Sequence, residues 1–283
     1  MILAMNKMIT VGLMLLVSTL SFAQNRGLES RNFKVSSFSE LEISGVYDVT
    51  LVKSNNFSVK VETHPELFEY LEVTVKGNKL HLGYKDGGIP KHLQKKYNNM
   101  EIIASVSMPV ICNLEMSGVT KLTTKDTFKT TDMSIELSGV TKVDFGFLEC
   151  LNLEAELSGV SKIEMKVKTE ELDLEASGAS KAFFTFEEKN ITFADIDISG
   201  TSHATITGRA IRSSVNVSGA ASFNGLDFQV ESMKAVVSGA AKAEVKVLGT
   251  LEPEVSGASK LRYNKNASLQ NVRTSGASHM TSY

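Results

Sequence analysis

Apolar and polar side chains alternate along much of this chain. Ile135 and Leu137, Leu153, Ala155 and Leu157, Leu172, Leu174 and Ala176, and Ala194, Ile196 and Ile198 are interleaved with Glu136, Glu154, Glu156, Asp173, Glu175, Asp195 and Asp197. A period of two predicts strands with one face buried and the other in water. Each run ends at Ser-Gly, and that dipeptide recurs at 44, 117, 138, 158, 177, 199, 218, 238, 256 and 275, spaced by about 20 residues from 117 onward. Val or Ala follows, then Ser or Thr, then usually Lys. A second short strand comes next, with Val143 and Phe145, Ile163 and Met165, or Ala243 and Val245 as its apolar members. The unit is two strands around a sharp corner. Gly suits the corner because it accepts positive φ and lets neighbouring backbone approach closely.

One such unit buries too few side chains to offset the entropy of ordering about 20 residues. Stacked at strand spacing, about 4.8 Å, successive units would share hydrogen-bond ladders and a continuous core. The expected fold is therefore all-β: a single-stranded parallel β-helix with coils of about 20 residues, right-handed by the usual preference of parallel crossovers. A propeller blade needs about 40 residues, leucine-rich repeats carry an Asn motif missing here, and the calcium-roll signature is absent.

Residues 31–110 alternate on a looser period. LEVTVKGNKLHLGY predicts a hairpin about Gly77-Asn78. We expect this region to cap or begin the solenoid, with regular repeats over 111–283. Tyr84–Asn99, YKDGGIPKHLQKKYNN, reads as a long loop whose Lys91, Lys95 and Lys96 offer a candidate surface for an acidic partner.

The chain opens with Lys7, an apolar run from Met8 to Leu20, then Ser21-Phe22-Ala23. This predicts a signal peptide over 1–23 and export to the periplasm, the outer membrane or the cell surface. No later stretch is apolar enough to predict a transmembrane span in the mature chain. A net charge of −2 argues against a nucleic-acid partner. Cys112 and Cys150 fall two coils apart in the repeat register, too far for a disulfide. Two free thiols are expected, with Cys112 in the core.

Candidate chemistry is sparse. The five histidines form no metal-ligand pair, and the Gly-Ala-Ser triplets belong to the corner rather than to a nucleophile motif. No catalytic residue, cofactor or metal is expected. The strongest candidate surface is the column Lys121, Lys142, Lys162, Lys181, Lys242 and Lys260, with His203 and His279 in step. Cations repeated at strand spacing repel unless interleaved with acids or matched by an anionic polymer.

The SGVTK-type ladder, the exported N-terminus and SGVYDVTLVKSNNFSVKVETHPELFEYLEVTVKGNKLHL together resemble the autotransporter adhesin head family known as the GIN domain, a group of exported Bacteroidetes proteins. The resemblance implies a β-helix that adheres at the cell envelope; the lysine column makes an acidic glycan or an envelope protein the expected partner. The sequence ends at SGASHMTSY, inside the repeat, so two copies are expected to pair through their C-terminal coils. A carbohydrate-active enzyme using clustered acids such as Glu154, Asp173 and Asp195, and a self-assembling envelope component, are the alternative readings.

Overall fold

The structure, a computed structural model, describes residues 27–98, 100–187 and 191–283. The signal-peptide segment lies outside the described residues. Among the described residues 23 strands join one sheet, and nearly all the pairings along the repeats are parallel. On one side, face A, Glu40–Ile43 is followed in the stack by Asn113–Met116, Asp132–Leu137, Asn152–Leu157, Glu171–Ala176 and Ile191–Ile198. On the next side, face B, Val46–Lys53 is followed by Val119–Lys129, Val140–Glu149, Lys162–Lys168 and Lys181–Phe186. The longer strands His203–Val217, Ser222–Val237 and Lys242–Val255 run across both faces. The chain is a parallel β-helix.

The alternation decides what goes inside. Ile135, Ala155, Leu174, Ile196, Val215 and Ala235 form one inward file, each fully buried. Large residues over small ones keep the file filled without overpacking. Register is pinned because a one-residue slip would put Glu136, Glu156 and Glu175 into this core.

The Ser-Gly corner behaves as its residues dictate. Gly139, Gly159 and Gly178 have φ of +74°, +65° and +70°. A Cβ built on Gly159 would lie 2.5 Å from the carbonyl oxygen of Gly139. The bare backbone lets the Val140 and Val160 amides donate to the Gly118 and Gly139 carbonyls at 2.7 Å. Two residues beyond six of the corner glycines a hydroxyl turns inward: Thr120, Thr141, Ser161, Ser180, Ser202 and Ser259 are buried. Thr141 donates to Ser161 Oγ at 2.9 Å, and Ser161 donates to the Ser158 carbonyl at 2.5 Å. A second bend follows near Gly146, where the register shifts between Phe145 and Phe147.

At the N-terminal end, chain order and stacking order part company. Strands Lys79–Tyr84 and Ile103–Met108 lie on the outer side of the coil formed by 40–53. The expected hairpin is present, Leu71–Lys76 pairing antiparallel with Lys79–Tyr84, and Ser58–Thr63 joins Ile103–Met108 to Glu29–Phe33 in antiparallel order. The segment read as a loop contains a short helix, Lys91–Lys96. Ile89 and Leu93, four residues apart, are buried beneath it, a pairing that only packing against the stack rewards. Among the described residues no helix is long and apolar enough to cross a membrane.

Both thiols are free, as the register requires. Their burial differs from expectation: Cys150 is buried, whereas Cys112 is only partly so. The neighbouring Ile111 takes the fully buried position, which leaves the Cys112 thiol donating to the Ser39 carbonyl at 3.4 Å.

Candidate ligand-binding faces

The lysine column exists as a physical file. Pairing places Asp48, Lys121, Lys142, Lys162, Lys181, His203, Ser222, Lys242, Lys260 and His279 over one another on face B. Its strands are held by ladders on both sides, so the ammonium groups stand on a rigid base. Lys121 pairs with Asp48 at 3.0 Å and Lys162 with Glu164 at 3.1 Å. These are exposed pairs of small energetic weight, readily exchanged for another anion. Among the described residues Lys142, Lys181, Lys242 and Lys260 have no carboxylate partner. The file is interrupted at His203. Its ring bonds Ser222 Oγ at 2.7 Å through Nδ1 and Thr205 Oγ1 at 3.0 Å through Nε2. Burial, then the Lys181 charge, pushes its pKa below the usual imidazole range, so at neutral pH it is a neutral spacer rather than a cation.

Lys91, Lys95 and Lys96 contribute nothing to the file. They sit on the short helix at the N-terminal end, where Lys96 pairs with Glu66 at 2.7 Å and lies 5.2 Å from the Tyr97 ring centroid.

Face A is its electrical opposite. Glu42, Glu115, Glu136, Glu156, Glu175 and Asp197 form one outward file, and Glu154, Asp173 and Asp195 form part of the next. The first file and the corner residues Ser117, Ser138, Ser158, Ser177 and Ser199 bound a groove of about 340 Å³. A second groove, about 880 Å³, is lined in part by Asp132, Asn152, Glu154, Glu171, Asp173 and Asp195. Burial, then the charge of Asp195, raises the Asp173 pKa, and burial, then Glu156, raises that of Glu175. At the N-terminal end of the file Lys79 relieves the crowding, donating to Glu115 at 2.6 Å and holding that carboxyl below its ordinary range. Among the described residues no group of three His, Cys, Asp or Glu side chains could hold a metal ion.

Alternation alone makes Glu154, Asp173 and Asp195 a candidate acid cluster, and pairing stacks them in register. Phe183 is not among the candidates the repeat offers, although KAFFTF carries the signal: two adjacent phenylalanines cannot both point inward on a strand.

A parallel solenoid with long files of like charge on two faces defines a β-helical protein. The chain belongs to the family described as "Putative auto-transporter adhesin, head GIN domain", whose model matches residues 37–184 and 181–267. Solved structures share the fold. A "putative adhesin" from Parabacteroides merdae superposes with a TM-score of 0.65 at 13% identity, covering 92% of this chain and 97% of that one. A "putative lipid binding protein" from Parabacteroides distasonis gives 0.58 at 16%, covering 92% and 98%. A further "putative adhesin" from Parabacteroides distasonis gives 0.57 at 16%, covering 90% and 96%. No curated protein matches the chain.

Proposed function

We propose that the protein is a noncatalytic exported adhesin that holds an acidic glycan along face B. The observation that carries this reading is the register of Lys121, Lys142, Lys162 and Lys181 in successive coils. A row of cations at strand spacing matches a polyanion whose charges repeat along an extended chain, and many weak contacts along one rigid ladder add up through avidity. Membership in an adhesin family accords with an exported or surface location.

The test is equilibrium binding of acidic and neutral oligosaccharides, with the triple change Lys142→Glu, Lys162→Glu, Lys181→Glu as control. Saturable, salt-sensitive binding of the acidic ligand that drops at least tenfold in the triple variant is the expected result. Unchanged binding in that variant removes the file as the site. Release of reducing ends or unsaturated sugars during incubation would replace the adhesin reading with an enzymatic one.

A further inference from the structure

In the middle of the lysine-bearing face the alternation is broken. Lys181–Phe186 carries Phe184 inward, where it is buried, and Phe183 outward, where it is partly exposed. Register places Phe183 directly between Glu164 and Thr205, with Asp144 one coil beyond Glu164. The equivalent outward positions in the other coils are Thr123, Asn224, Glu244 and Arg262, so this ring is the one aromatic in its column. A groove of about 410 Å³ runs beside it, lined by Asp144, Gly146, Glu164, Lys166, Thr185 and Thr205 among others.

The ring is also held still. Lys162 Nζ lies 5.1 Å from its centroid, and the His203 ring packs at 6.0 Å with a 56° tilt. His203 is itself fixed by Ser222 and Thr205. A rigid aromatic set in a polar sheet presents apolar area at little cost in conformational entropy. Carboxylate and hydroxyl acceptors lie beside it. The C–H face of a pyranose matches the ring, and its hydroxyls match Asp144, Glu164, Thr185 and Thr205. Within the groove Lys166 pairs with Glu187 at 3.3 Å, and the adjoining file of Lys142, Lys162 and Lys181 outnumbers Asp144 and Glu164, which favours a sugar bearing a negative substituent.

We infer that Phe183 is the stacking platform of a sugar subsite that takes one pyranose residue of an acidic polysaccharide. The inference rests on the glycan reading above and gives it a centre. An extended peptide fits less well: the backbone of these coils is already paired on both sides, so no strand edge is open to it here.

The test is calorimetric titration of the mature chain with oligogalacturonate, a neutral oligosaccharide of equal length, and polyglutamate as a charge control. Phe183→Leu keeps apolar bulk but loses the flat ring; Phe183→Tyr keeps the ring. Oligogalacturonate binding should weaken about 10- to 100-fold in the Leu variant, stay within a few fold in the Tyr variant, and keep its salt dependence in both. Polyglutamate binding should not respond to either change. Equal oligogalacturonate affinity in wild type and Phe183→Leu, with binding still lost in the triple lysine variant, overturns the subsite and leaves the glycan reading standing. Equal sensitivity of polyglutamate to Phe183→Leu overturns the subsite in favour of a peptide site. No binding of any saccharide by the wild type overturns both.

Discussion

At the scale of single residues, the corner glycines and the face-A acids make the sharpest predictions. Gly159 is confined by its positive φ and by the Gly139 carbonyl. Gly159→Ala should therefore cost at least about 2 kcal/mol, the left-handed penalty plus a backbone clash, read as a fall in the denaturation midpoint. Asp173 behaves in the opposite sense. Its carboxyl pKa is raised in the folded state by burial and by neighbouring acids, so folding takes up protons between the ordinary carboxylate range and the raised value. Stability falls as pH rises through that window. Asp173→Asn should be stabilising at neutral pH by a few tenths of a kcal/mol, the usual scale for opposed like charges on a sheet. The gain should fade in acid, and a pair of thermal melts at the two pH values checks it.

Individual elements were legible where the period of two was strict, because alternation alone specifies which side of a strand is wet. The hairpin about Gly77-Asn78 was legible for the same reason, reinforced by its turn residues. The helix Lys91–Lys96 was not, since six residues cannot sustain a helix alone and its stability comes from burying Ile89 and Leu93. The hydroxyl ladder follows the repeat's Ser/Thr column, but its inward turn is a property of the corner. Ser161→Ala leaves the buried Thr141 hydroxyl without its acceptor and should cost about 1–3 kcal/mol. Adding Thr141→Val should recover part of that loss, and a double-mutant cycle in urea measures the difference.

For the whole molecule, a net charge of −2 conceals a sideways separation of charge, acids on face A and lysines on face B. Composition could not reveal it, because the separation depends on which outward columns share a side. Stacking also makes stability a near-neighbour property. Leu174 is fully buried between Ala155 and Ile196, so Leu174→Ala should cost about 2–5 kcal/mol. Hydrogen exchange should quicken first in Asn152–Leu157, Glu171–Ala176 and Ile191–Ile198, with Lys242–Val255 changing least. Uniform acceleration along the chain would contradict a stack of locally coupled coils.

Local pattern and spacing determined the coil, its corner, the inward set and the identity of the lysine column, because each depends only on a residue's place within one repeat. Tertiary structure decided what lies beside what: the insertion of strands 79–84 and 103–108 outside the first coil, the neutral tuck of His203 within the cationic file, the partial exposure of Cys112, and the setting of Phe183 between Glu164 and Thr205. Those outcomes are sums over contacts between coils, and a one-dimensional period carries no information about which neighbour fills the space next to a given side chain.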